Sequence, residues 1–142
     1  MNNPLALIVC LVFAALALWH FYMASRPMSG ATGAVPSVGG KPLFVPSRKS
    51  TVAVGLVLAL FSGLVAATGG LVSVGMPATA LSSLSYALAI GLLARAVGEF
   101  KYVGFFKRVR GSRFAALDTW VYSPLCLSLA AGVGVVAMRD VG

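Results

Sequence analysis

The chain has 142 residues, 59% of them hydrophobic and only 10% charged, and its 11 Lys and Arg against 3 Asp and Glu give a net charge of +8. Soluble proteins average about a quarter charged residues, so this balance excludes an ordinary water-soluble globule, and the length points to one domain covering 1–142. The basic excess leaves two kinds of polyanion open, nucleic acid and a membrane surface, and the order of residues along the chain decides between them.

Four stretches are apolar all round for roughly the 20 residues that a bilayer crossing needs. The first covers about 4–23, PLALIVCLVFAALALWHFYM, and ends in the ring cluster Trp19, Phe21 and Tyr22, which suits the headgroup level. A secretory signal peptide is the competing reading, but the leading MNNP carries no Lys or Arg. The second span is expected over about 51–71, the third over 79–98 and the fourth over 120–138. Ser50-Thr51, Gly69-Gly70, Met76-Pro77 and Asp118-Thr119 supply the boundary signals. The expected fold is therefore an all-α membrane protein, a compact bundle of four transmembrane helices with a basic aromatic loop between the third and fourth.

The connections differ in character. Residues 25–49 are rich in Gly, Pro and Ser without a helical period and read as a loop outside the hydrocarbon. Residues 72–78 form a short uncharged turn, and 100–117 carry the run FFKRVRGSRF. The first loop holds Arg26, Lys41, Arg48 and Lys49, and the third holds Lys101, Lys107, Arg108, Arg110 and Arg113. Short cytoplasmic loops retain Lys and Arg, so both basic loops are expected inside and both termini outside. A basic run whose two flanks enter the bilayer is not the soluble face that nucleic acid requires, so membrane lipids with anionic headgroups are the expected partners.

Within lipid, helices associate through close packing at small residues. The second helix repeats Gly55, Ala59, Gly63 and Ala67, and the third Ser83, Ala87 and Gly91; both stripes are expected to face neighbouring helices. Arg95 and Glu99 continue the third stripe and are expected to pair, which lowers the cost of a charge near the membrane. Because successive helices alternate in direction, His20, Arg95, Glu99, Asp118 and Tyr122 all belong to one rim. Pro124 either opens the fourth helix or kinks it.

At this rim the sequence is also familiar. RAVGEFKYVGFFKRVRGSRFAALDTWVYSPLCL, residues 95–127, closely resembles the signature segment of the bacterial family catalogued as domain of unknown function 3995. LWHFY at 18–22 and GGKPLFVPS at 39–47 resemble its weaker first-helix and first-loop patterns. The resemblance implies a small four-helix protein of the bacterial cytoplasmic membrane and carries no established activity, cofactor or substrate.

The remaining chemistry is sparse. Cys10 and Cys126 enter from opposite sides, so a disulfide or shared metal site is not expected, and no phosphate loop or zinc-ligand spacing occurs. Ser123 beside Asp118 and His20 lacks the nucleophile elbow of a hydrolase. The leading expectation is binding, without a cofactor, of a lipid or amphipathic molecule or of a membrane partner. Its charged head would meet Arg95, Lys101, Tyr102, Lys107, Arg108, Arg110, Arg113 and Tyr122. The alternatives are a small membrane enzyme using Glu99, Asp118 and His20 as acid and base, and a transporter subunit, which requires a homo-oligomer to enclose a path.

Overall fold

The computed structural model describes residues 3–26, 35–98 and 101–141, the side chains of 140 and 141 excepted. Helix α1 spans Pro4–Ala24, opened by Asn3, whose Oδ1 accepts the Ala6 N–H at 3.2 Å, with Pro4 at the first position where no N–H is required. Helix α2 spans Arg48–Thr68. It starts before the expected Thr51 because Ser47 caps it, Oγ accepting the Ser50 N–H at 3.1 Å. Helix α3, Ala78–Val97, follows Pro77 and stops at Gly98, whose φ of 88° a side chain would resist.

The fourth span begins earlier than 120. Ser112 caps α4 (Arg113–Leu117) by accepting the Ala115 N–H at 3.0 Å, so the end of the expected loop is helical. One π-helical turn, Asp118–Tyr122, then leads into α5, Ser123–Val141. The wide turn accommodates proline: Pro124 has no N–H for the Trp120 carbonyl and its ring would crowd that oxygen in a regular α-helix, and the π turn lets the Ser123 N–H close on the Asp118 carbonyl instead. Pro124 thus acts inside the helix and not at its start. In the first loop, β1 (Ser37–Val38) and β2 (Lys41–Pro42) form a two-stranded antiparallel hairpin. It turns through Gly39-Gly40, both at positive φ.

Four long apolar helices result, α1, α2, α3 and the composite α4–α5, each with the length and composition to cross a membrane. Residue pairs fix their directions. Ala6 meets Gly69 and Phe21 meets Gly55, so α1 and α2 are antiparallel. Thr68 Oγ1 bonds Ser85 Oγ at 2.8 Å where α2 turns into α3, and Arg95 bonds Asp118 where α3 gives way to the fourth span. His20, Arg95, Asp118 and Tyr122 therefore share one end of the bundle. At its centre Phe13, Val65, Leu88, Val133 and Val136 close a core, while Ile8, Leu60 and Ile90 stay largely exposed on the outside. An apolar exterior around an apolar core is what a lipid solvent permits and water does not.

The small-residue stripes are a correction. Gly55 is buried against the Phe21 ring, and Ala67 is buried, but Ala59, Gly63, Ser83, Ala87 and Gly91 all lie on exposed faces. The inward face of α3 is instead Leu81, Ser82, Ser85, Leu88 and Ala96. Polar side chains do part of the joining: Ser62 Oγ donates to the Cys10 carbonyl at 2.9 Å across α1 and α2. Cys10 and Cys126 are both free thiols.

Candidate functional site

The site assembles around Asp118. Its backbone lies in the π turn, its side chain is fully buried, and four donors converge on its carboxylate. Arg95 Nη2 reaches Oδ1 at 2.8 Å, Lys107 Nζ reaches Oδ2 at 3.0 Å, the Gly104 amide donates to Oδ2 at 2.6 Å and Ser123 Oγ to Oδ1 at 3.3 Å. A carboxylate taken out of water must be matched in this way, and with its oxygens so engaged Asp118 serves as a counter-ion and not as a free base.

The α3–α4 loop makes the arrangement possible. Gly98 and Gly104 both have φ of 88°, and a Cβ on either would run into the backbone of the other. Their close approach folds the loop under the helix ends, and the Phe105 N–H donates to the Ala96 carbonyl at 2.8 Å. Gly104 thereby aims its amide at Asp118, and Lys107 follows into the interior. The Lys107 ammonium also donates to the Gly104 carbonyl at 3.0 Å and to Thr119 Oγ1 at 2.6 Å, so its three protons are all used.

The expected site residues separate into two groups. Lys107, read from the sequence as a headgroup contact, points inward with a fully buried side chain, because an enclosed Asp118 outbids the surface for it. Arg95 joins it by bonding Asp118; the expected pair with Glu99 falls on a residue outside the described ones. Lys101, Arg108, Arg110 and Arg113 are exposed, with Lys101 Nζ 5.0 Å from the Tyr102 ring centroid and Arg110 Nη2 on the Phe105 carbonyl at 3.1 Å. Tyr122 is half-buried with its ring 5.8 Å from that of Phe114. His20 is half-buried and its Nδ1 lies 2.7 Å from the Leu16 carbonyl; among the described residues no hydrogen bond or ion pair joins it to Asp118. The sequence reading missed the roles of Gly98, Gly104, Thr119 and Ser123. Two glycines flanking a short aromatic loop, with Lys three residues beyond the second, were the available signal.

The electrostatic balance of the cluster is uneven. Among the described residues two cations share one carboxylate. Arg95 spends one arm on Asp118, while Nη1 is buried without a hydrogen-bond partner among the described residues, although a third of the side chain is exposed.

Fold and site together define a four-helix bundle of membrane-spanning type, with a buried ionic cluster at one end. The chain belongs to the family described as Protein of unknown function (DUF3995), whose match covers residues 13–133. No curated protein and no solved structure matches it.

Proposed function

We propose that this protein binds the anionic head of a membrane lipid or similar amphipathic molecule at the end of the bundle where α3, the α3–α4 loop and α4 meet. The observation that carries the reading is the second arm of Arg95: among the described residues it is a buried donor without an acceptor, which costs about 1–3 kcal/mol, and it stands beside an ion cluster that has one positive charge in excess among those same residues. A phosphate or carboxylate oxygen at Arg95 Nη1 answers both. Lys101, Arg108, Arg110 and Arg113 supply the surrounding field, worth about 1 kcal/mol per cation near an anionic leaflet. Lys107 leaves the ligand set and becomes the internal support of Asp118. We place the protein in a bacterial cytoplasmic membrane with both basic loops inside, on the retention of Lys and Arg in short cytoplasmic loops.

Arg95→Lys tests the site, since an ammonium keeps a charge for Asp118 but loses the second arm of the fork. Protein purified in mild detergent and examined by native mass spectrometry is expected to retain phosphatidylglycerol over phosphatidylcholine. The variant is expected to lose that preference several-fold while keeping its thermal midpoint. Equal retention by both proteins, or no lipid retained by the wild type, overturns the reading. Orientation is read separately by impermeant labelling of Ser37→Cys and Arg110→Cys in whole cells; labelling of both from outside reverses it.

A further inference from the structure

We infer that Leu43, Phe44 and Val45 form an interfacial anchor, a short wedge seated in the headgroup and acyl boundary of an anionic leaflet at the same end of the bundle as Asp118. The three are consecutive and exposed at 45%, 56% and 66%, and Val38 of the hairpin is exposed at 50%. They belong to no helix or strand, so no periodicity hides one of them from the surroundings.

Their place along the chain decides what surrounds them. Val45 is three residues from Arg48, the first residue of α2, a reach of at most about 11 Å. The α2 surface continues outward with exposed Val54, Leu56 and Val57, the face that lipid covers. A wedge tied this closely to the start of a spanning helix lies at the headgroup level, where the interface accommodates apolar side chains about 5–10 Å deep.

Charge supports the same occupant. Exposed Lys41 precedes the wedge and exposed Arg48 and Lys49 follow it, a basic collar suited to phosphate headgroups and unsuited to a second copy of this basic chain. Local geometry holds the wedge up. Pro42 and Pro46 bracket it without offering N–H groups that would need partners in lipid, and the Leu43 N–H is bonded to the Pro36 carbonyl at 2.9 Å.

The test uses the full chain in vesicles of phosphatidylcholine and phosphatidylglycerol, with a nitroxide on Val45→Cys and with Cys10 and Cys126 replaced by alanine. Depth is read from collisions with oxygen, which partitions into lipid, and with a water-soluble nickel chelate. Oxygen is expected to relax the label several-fold more effectively than the chelate, and Leu43→Ser/Phe44→Ser is expected to reverse that ratio while the helical circular dichroism stays unchanged. A label reached mainly by the chelate in the parent overturns the inference, because the wedge then stands in water. A label reached by neither also overturns it, because a protein surface then covers the wedge. Lipid retention at Arg95 is measured independently, so failure here is distinguishable from failure of the binding site.

Discussion

Lys107 and Asp118 form an ion pair in which neither side chain is exposed to solvent, although the lysine belongs to a loop and the aspartate to a helix 11 residues further on. Removing one partner from a buried pair strands the other charge, at a cost of about 3–5 kcal/mol, more than the pair itself contributes to stability. Lys107→Met leaves Asp118 with Arg95, Gly104 and Ser123, whereas Asp118→Leu leaves two cations facing each other. The aspartate variant is therefore expected to be the more destabilised. The double variant is expected to lose less than the sum of the singles, with a coupling of about 1–3 kcal/mol. Unfolding in detergent followed by circular dichroism supplies the cycle; additivity would mean that the pair is not a unit.

The glycines of this chain divide sharply by what a methyl group would meet. Gly104→Ala drives a Cβ into the Val97 carbonyl and Gly98 at a positive φ, and should open the loop, lower stability by at least about 2 kcal/mol and expose Arg108 and Arg110 to trypsin. Gly91→Ala enters open space on an exposed helix face, so it should be neutral or stabilise by up to about 1 kcal/mol. Limited proteolysis and thermal midpoints on the two proteins check the contrast. A destabilising Gly91→Ala would return that face to an interface.

The number of spans was legible in the sequence because lipid imposes a length and an apolar character on every crossing, independent of tertiary detail. The helix ends were less so: Ser47 and Ser112 each start a helix ahead of the apolar run by capping it, and a hydropathy pattern does not see a cap. The stripe through Gly91 misled because alanine-rich helices repeat small residues every four positions on faces that touch nothing. That His20, Arg95, Asp118 and Tyr122 share one rim was foreseen from alternating helix directions, which need no coordinates. Its wiring was only partly so: helical spacing offered Arg95 the neighbouring Glu99, which lies outside the described residues, and did not show the bond from Arg95 across to Asp118. The inward Lys107 depends on two glycine backbones touching, a long-range closure that one sequence does not print.

Pro124 tests whether the π turn is imposed by the missing N–H or held by the charges it positions. Pro124→Ala restores a donor for the Trp120 carbonyl, and regular α-helix there would stabilise the chain by about 3 kcal/mol. Closing the turn would also rotate Asp118 by about 100° relative to α5, since removing one residue from a turn shifts the helix face by that angle. Arg95 and Lys107 would then lose their counter-ion, and each charge-assisted hydrogen bond contributes about 1.5–3 kcal/mol before the cost of stranding a buried charge is added. The cluster therefore outweighs the new backbone bond, and Pro124→Ala alone is expected to keep the wide turn with a small change in midpoint. Combined with Asp118→Asn, which removes the charge that resists rotation, the segment 118–122 should relax to α-helix. Carbonyl chemical shifts at Trp120 and Asp118 distinguish the outcomes: an α-helical signature in Pro124→Ala by itself would assign the turn to the proline, and a retained π signature in the double variant would assign it to neither.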